Sequence, residues 1–208
     1  MQIVKMGVIL MIVTLVAAAA LSGVNKKTKP IIDNLKKQKE IQALYEVLPE
    51  TRQGVLVAVK EGEKVLYHKG FSGQDTTDLV GYACKAEGKG FSSTIQTIVG
   101  VDRLGTIKNI VILDQKETPG LGTKIKENAV YGGRNIPWYA QFRGKKAGGL
   151  AVDKDGGQIA AVTGATISSR ATTEAVRVSV QNLKKQLGGF KAPVPPDSAQ
   201  ADSTTEGK

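Results

Sequence analysis

The 208-residue sequence is poor in the side chains that build metal, redox and catalytic centres, with one cysteine, Cys84, and one histidine, His68. One cysteine excludes an internal disulfide and a Cys-x-x-Cys redox pair within the chain. One cysteine with one histidine also excludes a four-ligand zinc site of the usual cysteine and histidine type. A cysteine or serine nucleophile paired with histidine would have to use His68, which stands in the ordinary strand-end context VLYHKG. Cys84 alternates within GYACKAE like a strand residue, and we interpret it as a small core side chain.

Aromatic residues are also scarce, at 5% of the chain. The 29 Lys and Arg residues exceed the 19 Asp and Glu residues, but no basic run is interleaved with aromatic side chains. We therefore predict no nucleic-acid partner. The sequence contains no GxxxxGK[ST] loop and no GxGxxG fingerprint, since Gly88-Lys89-Gly90 is followed by Phe-Ser-Ser. Hydrophobic residues at 41% are typical of a globular protein.

The N-terminus contains an uncharged segment from Gly7 to Val24, followed by a lysine-rich segment at 26–29. Its length is that of a transmembrane helix. Lys5, the apolar stretch and the alanines at 17–20 also resemble a secretory signal peptide. We favour an uncleaved anchor, because the apolar run is longer than a usual signal core and an amphipathic helix follows it directly.

Two signals conflict on the orientation of this anchor. Lysines are more numerous after the apolar segment than before it, and this positive-inside bias favours a cytoplasmic domain. The signal-like order of charge and apolar run favours the opposite side. Orientation is therefore open from the residues alone.

The rest of the chain predicts an α+β fold. Apolar residues at three- and four-residue spacings predict an amphipathic helix over 30–48, which Pro49 ends. A second helical period extends from Thr166 to Leu187, with Gly188 at its end and one apolar stripe formed by Val176, Val180, Leu183 and Leu187. Between them, short β-branched runs separated by turn residues predict an antiparallel sheet. The predicted strands are 54–60, 64–68, 79–85, 94–101 and 107–113.

These patterns divide the chain into four parts. Residues 1–29 are the predicted membrane anchor, 30–49 an amphipathic linker helix and 50–190 one folded domain. Residues 191–208 are rich in Pro, Ser, Thr, Asp and Ala, and we predict a disordered tail there.

The first glycine-rich segment with a possible chemical role is 117–122, ETPGLG. Thr118 can cap a short helix that has Pro119 at its first position. Gly120 and Gly122 permit another group to approach the backbone closely. The alternative is a plain turn.

The second segment is 162–169, VTGATISS, which opens the predicted C-terminal helix. Free amides at a helix N-terminus, the positive end of the helix dipole and several hydroxyls together favour an anion such as phosphate. The alternative is simple N-capping by Ser168 or Ser169.

Three motifs together indicate a known family. They are GYxxKAEGKGFSSTI at 81–95, ETPGLG at 117–122 and TGATISSRA at 163–171, with Trp138 and Phe142 between the last two. They resemble the FMN-binding domain of the G subunit of Rnf-type ion-translocating electron transport complexes. That family is related to the C subunit of the sodium-translocating NADH:quinone reductase.

The resemblance implies an N-terminal transmembrane helix followed by one FMN-binding domain with a mainly antiparallel sheet and packed helices. It also implies that Thr166 carries FMN through a phosphoester, with the amides of Ile167, Ser168 and Ser169 facing the phosphate charge. The implied cofactor-binding residues are Thr163, Gly164, Ala165, Thr166, Ser168 and Ser169, together with Glu117, Thr118, Gly120 and Leu121.

The sequence departs from the family pattern at two positions. The family usually has an acidic residue three positions before the residue equivalent to Thr163. This sequence has Ala160 there, and its next acidic residue upstream is Asp155. A histidine common two positions before Glu117 is replaced by Gln115.

The resemblance implies a single-pass protein of the cytoplasmic (inner) membrane whose domain lies on the extracytoplasmic, or periplasmic, side. It would relay electrons as a flavoprotein subunit, not as an independent catalyst, because the flavin supplies the electron chemistry. Other membrane subunits and a flavin transferase are the implied partners. Two alternatives are a stand-alone membrane-anchored FMN-dependent reductase and a non-redox membrane-anchored module that binds anionic lipid through its basic helix.

Overall fold

The computed structural model describes residues 1–131 and 134–190. These residues form two compact units, Met1–Gln42 and a larger unit that begins at Ala43. Helix α1, Gln2–Val47, supplies the whole of the first unit apart from Met1. It contains a segment long and apolar enough, by length and composition, to cross a membrane.

Helix α1 is continuous through Pro30, where the sequence indicates separate anchor and linker helices. Proline lacks the amide that would donate to the preceding turn, yet the helix extends past Pro30 to Val47. Ile32, Leu35 and Ile41 of the predicted apolar stripe are exposed. The division at residues 29 and 30 stays a prediction.

The larger unit contains a five-stranded sheet with the strand order β1-β2-β3-β4-β5. Every neighbouring pair is antiparallel, as the hairpin-like succession of β-branched runs predicts. Each strand overlaps its predicted range. The strands are β1 Val55–Glu61, β2 Lys64–Phe71, β3 Leu79–Lys89, β4 Thr94–Asp102 and β5 Ile107–Asp114.

Strand β4 has apolar residues on both faces of the sheet. Ile95 and Val99 belong to the larger core, and Ile98 belongs to a second core with the last turn of α1. Gly100 allows that turn to lie against the strand, since a Cβ at this position would be 2.7 Å from the Cβ of Val47. The alternation along β4 therefore separates two buried layers.

Helix α2, Thr166–Gln186, packs on β3 and β4. Val176, Val180 and Leu183 of the predicted stripe are buried, and Leu187 is half-buried. Gly188 follows the helix with a φ of +67°. Cys84 lies in the same core, where burial raises the pKa of its thiol to about 12 although Ser179 contributes a hydrogen bond. The chain therefore has the predicted α+β fold.

Several short elements were not predicted. Strands β6, Asn128–Tyr131, and β7, Arg134–Pro137, form a separate antiparallel pair. Short 3₁₀ helices occupy Gly122–Lys126 and Trp138–Phe142, and the second of these buries its two terminal aromatic rings. Elements of four or five residues are too short to show a period in the sequence. The predicted tail, 191–208, lies outside the described residues.

Candidate functional site

The carboxylate of Glu117 joins three separate segments of the larger unit. Its side chain is 4% exposed. Oε2 accepts hydrogen bonds from the Phe91 amide at 3.0 Å and the Ser168 hydroxyl at 2.6 Å. Oε1 accepts from the Ser92 amide at 3.1 Å and from the amide and hydroxyl of Ser93, both at 2.9 Å. We call Glu117 and these donors the carboxylate clamp.

The clamp holds Glu117 in its ionised form. Burial acts to raise the pKa of this carboxyl, but the hydrogen bonds from Ser168, Phe91, Ser93 and Ser92 outweigh burial and keep the pKa below its ordinary value. Because protein donors surround both oxygens, the carboxylate positions the site and is not free to accept a hydrogen bond from a flavin.

Two glycines make room for the clamp. A Cβ at Gly90 would lie 2.6 Å from Oε1 of Glu117. A Cβ at Gly122 would lie 2.5 Å from the Cβ of Glu117 and 2.9 Å from Oγ of Ser168. The ETPGLG segment therefore approaches helix α2 closely at Gly122, as the glycine pattern predicts.

The Thr-Gly-Ala-Thr segment is a tight turn that leads into α2. The Ala165 amide donates to the Val162 carbonyl at 2.9 Å, and Gly164 has a φ of +78° at the third position of the turn. A Cβ at Gly164 would lie 3.1 Å from Cδ2 of Leu121. Gly164 and Thr163 are exposed, so this backbone is accessible from solvent.

Thr166 is the first residue of α2 and is half-buried. The amides of Thr166, Ile167 and Ser168 have no acceptor in a preceding helical turn, which suits an anion. The expectation that the Ser169 amide also faces the anion is wrong, because this amide donates to the Ala165 carbonyl at 3.0 Å.

The hydroxyls of Ser168 and Ser169 do not cap α2. The helix begins after Ala165 without a side-chain cap. Ser168 donates to Glu117, whereas Oγ of Ser169 accepts from the Val162 amide at 3.0 Å. The structure thus turns both hydroxyls toward the protein and leaves the backbone amides as the anion donors.

In the ETPGLG segment, Thr118 does not cap a helix that starts at Pro119. The 3₁₀ helix begins only at Gly122, after a turn in which the Leu121 amide donates to the Thr118 carbonyl at 3.2 Å. Gly120 has a φ of +72°, a conformation that glycine adopts without strain. Thr118 and Gly120 are exposed on the same loop.

Ala160 and Gln115, the two residues that depart from the family pattern, form hydrogen bonds within the protein. The Ala160 carbonyl accepts from Nε1 of Trp138 at 2.6 Å, and the Ala160 amide donates to Gln141 at 2.9 Å. Asp155 forms two hydrogen bonds with Arg170 of α2, at 2.6 and 2.7 Å, which lower the pKa of its carboxyl. Oε1 of Gln115 accepts from the Glu117 amide at 2.6 Å.

Comparison with known proteins identifies the family. Residues 90–181 match the FMN-binding domain model, and residues 1–47 match the RnfG N-terminal region. The G subunit of the Na(+)-translocating ferredoxin:NAD(+) oxidoreductase complex of Acetobacterium woodii is 33% identical over 201 residues, which cover 87% of this chain and 93% of that protein. The chain belongs to the family of G subunits of ion-translocating oxidoreductase complexes.

Two further similarities extend over much of the chain. The G subunit of the ion-translocating oxidoreductase complex of Escherichia coli K12 is 30% identical over 203 residues, with 90% of this chain and 96% of that protein covered. The crystal structure of the C subunit of Na(+)-translocating NADH-quinone reductase from Parabacteroides distasonis is 26% identical, with a TM-score of 0.45. The similarity covers 60% of this chain and 64% of that one.

The segment 91–93 belongs to the site, although none of its residues was among the site residues predicted from the sequence. Its amides and the Ser93 hydroxyl supply most of the hydrogen bonds to Glu117. The segment lies within the motif at 81–95 that carries the family resemblance, but the resemblance assigned no cofactor-binding role to Phe-Ser-Ser.

Proposed function

We propose that this protein is a membrane-anchored flavoprotein subunit of an ion-translocating electron transport complex. It relays electrons through FMN that is attached by a phosphoester to the hydroxyl of Thr166. The family membership and the FMN-binding domain match support this function. The observation that carries the attachment site is the position of Thr166, half-buried at the start of α2 and next to three helix amides that favour a phosphate.

The residues around Thr166 fit such a group. Gly164, two residues before Thr166, is exposed and has a left-handed backbone, and it contributes no side chain that would crowd a bound group. Thr163 is also exposed, and Ala165 is buried. When bound, the flavin supplies one-electron and two-electron chemistry, and the protein supplies position and electrostatics.

Covalent attachment is tested with the full-length chain co-expressed with a flavin transferase. We expect a fluorescent band on a denaturing gel for the wild-type protein and a flavin-bearing peptide containing Thr166 in mass spectrometry. Thr166→Ala should lose the band, and the matched control Thr163→Ala should keep it. A band that persists in Thr166→Ala contradicts the attachment site.

We further propose that α1 anchors the protein and that the domain lies on the extracytoplasmic side. The apolar segment of α1 and the match of residues 1–47 to the RnfG N-terminal region support the anchor. Large domains cross membranes despite flanking positive charge, so the lysine balance does not forbid this side. A reporter that works only outside the cytoplasm, fused after Leu187, should be active. Activity of a cytoplasm-specific reporter instead contradicts the orientation.

The partners in this proposal are the other membrane subunits of the complex. The relatives' names describe them as subunits of such assemblies, which supports a partner role for this chain. A flavin transferase is a transient partner during maturation. Co-purification of the tagged chain from its host membranes should recover further subunits, and recovery of the chain alone contradicts the assembly.

A further inference from the structure

Helix α1 carries three lysines directly after its apolar segment. The uncharged run 7–24 is followed by Lys26, Lys27 and Lys29, and all three residues are exposed. Before that run, Lys5 is the only charged side chain. We call Lys26, Lys27 and Lys29 the basic collar. Positive charge on α1 is therefore concentrated at the C-terminal end of the apolar segment.

The regular geometry of α1 sets the depth of the collar in a membrane. The helix is continuous from Gln2 to Val47, and each residue adds about 1.5 Å along its axis. The uncharged run 7–24 therefore spans about 27 Å, close to the thickness of the hydrocarbon core of a bilayer. The backbone of the collar lies about 3 to 8 Å beyond Val24. At that height the long lysine side chains reach the level of the lipid headgroups.

The collar lysines have no counter-charge within the protein. Among the residues that the structure describes, none of the three forms an ion pair. The first acidic residue of the chain is Asp33, four positions after Lys29. Three ammonium groups without an internal partner at a membrane surface favour an anion outside the protein, and anionic headgroups are the anions concentrated at that level.

A second group of lysines on the same helix has different surroundings. Lys36, Lys37 and Lys39 lie about 15 Å further along the axis than the collar, which exceeds the distance of about 8 Å over which salt screens charges. Asp33 precedes Lys37 by four positions, and Glu40 follows Lys36 by four. At this spacing opposite charges lie on the same side of a helix. The distal lysines are therefore remote from the headgroups and have acidic neighbours.

We propose that the basic collar binds anionic lipid headgroups, with its ammonium groups in contact with the lipid phosphates. This inference rests on the membrane anchor proposed above, and the binding accompanies the electron relay without replacing it. It also bears on the orientation of the protein. Positive charge that follows a membrane span opposes placing that end outside the cytoplasm, and bound anionic headgroups offset part of this charge.

The experiment uses the purified full-length chain in detergent. Phosphatidylglycerol and phosphatidylcholine are added at equal concentration, and native mass spectrometry counts the molecules of each lipid that the protein retains. The two variants remove the same charge from the same helix, at exposed positions and with a residue of similar helix propensity, so both should fold. The collar variant combines Lys26→Gln, Lys27→Gln and Lys29→Gln, and the matched control combines Lys36→Gln, Lys37→Gln and Lys39→Gln.

We expect the wild-type protein and the matched control to retain phosphatidylglycerol in preference to phosphatidylcholine. The collar variant should bind phosphatidylglycerol at least about fivefold more weakly, the effect expected from a single lysine at an anionic surface. The preference should fall as the concentration of ammonium acetate rises, because salt screens the attraction. Millimolar inorganic phosphate should not displace the lipid, since free phosphate lacks the acyl chains that hold the headgroup at the collar.

Four results would overturn the proposal. If both variants lose phosphatidylglycerol equally, or neither loses it, the collar is not the lipid site and the proposed function stands. Displacement of the lipid by inorganic phosphate would show a site for free phosphate. A collar variant that keeps its lipid but no longer co-purifies with other subunits would show that an acidic protein surface covers the collar. If an alkaline wash releases the wild-type chain from membranes, the anchor is absent and the proposed membrane anchoring fails as well.

Discussion

The two halves of helix α2 bury side chains of different chemical type. The first half buries hydroxyl side chains, and the second half buries aliphatic ones. The buried hydroxyls are Ser168, Ser169, Thr172 and Thr173, and the aliphatic residues are Val176, Val180 and Leu183. One helix thus joins a polar end at the site to an apolar end in the core.

The hydrogen bonds of the polar half explain its placement. Ser169, Thr172 and Thr173 each donate to the carbonyl four residues earlier, which satisfies these hydroxyls within the helix. Ser168 instead donates to Glu117, 51 residues away in the chain. The apolar half gains stability from burial, which is not directional, whereas the polar half needs one specific geometry. The candidate site therefore lies at the end of α2 where directional hydrogen bonds fix the positions of the side chains.

Leu183→Ala should produce the largest loss of stability. Leu183 is buried in the apolar half, and a buried Leu→Ala substitution removes packing and leaves a cavity, at a cost of about 2–5 kcal/mol. Leu104→Ala, at an exposed leucine, should change the free energy of unfolding by no more than about 0.5 kcal/mol. Urea denaturation of both variants measures the difference. Equal losses would show that the apolar half is not the stabilising part.

Glu117→Gln should destabilise the polar half by a smaller amount. The substitution places an NH₂ group opposite hydrogen-bond donors, because both carboxylate oxygens accept from amides or hydroxyls. Leaving buried donors without acceptors costs about 1–3 kcal/mol. Asp114→Asn is the matched control, since Asp114 is exposed three residues earlier. If the two variants are equally stable in urea, the clamp contributes nothing to stability.

The contribution of Glu117 should also depend on pH. Its pKa in the folded protein is lowered relative to the ordinary value of 4.5, so the ionised clamp stabilises the fold at pH values above 4.5. This contribution is lost as the pH falls through the lower, folded-state pKa. The stability difference between wild type and Glu117→Gln should be constant near neutral pH and shrink below pH 4.5. A difference that persists at low pH would show that ionisation is not the cause.

The sequence predicts the apolar half and the sheet well because both depend on local periodicity. The β-branched runs of the strands and the stripe of Val176, Val180 and Leu183 are visible without tertiary information. The end of β3 is predicted less accurately. The sequence predicts a strand over 79–85, but the strand continues to Lys89, which still pairs with Thr94 of β4. Pairing between strands, which a single segment does not record, sets that boundary.

The site is predicted only in part for the same reason. Glycine and hydroxyl patterns located the segments 117–122 and 162–169, and family resemblance assigned Thr166. The clamp depends on hydrogen bonds between residues 24 to 51 positions apart, and no local pattern encodes these pairs. Local rules also predicted that Thr118 caps a helix starting at Pro119. In the structure the 3₁₀ helix begins only at Gly122, the residue that lies close to Glu117 and Ser168.

Gly120→Val should have the smallest effect and reports on the loop that faces the polar half. Gly120 has a φ of +72°, and a Cβ there would meet no atom within 4 Å, so the cost is backbone strain of about 1–2 kcal/mol and not a clash. Gly148→Val is the matched control, because Gly148 has equally open surroundings without a left-handed φ.

Gly120→Val should keep the covalent flavin on a denaturing gel, since attachment belongs to the segment around Thr166. It should unfold at lower urea concentration than Gly148→Val, and its flavin absorption band should shift if the loop lies against the ring. Equal stability of the two variants would show that the backbone at Gly120 is not strained. An unchanged band would show that the ETPGLG loop shapes the site only through Glu117 and Gly122.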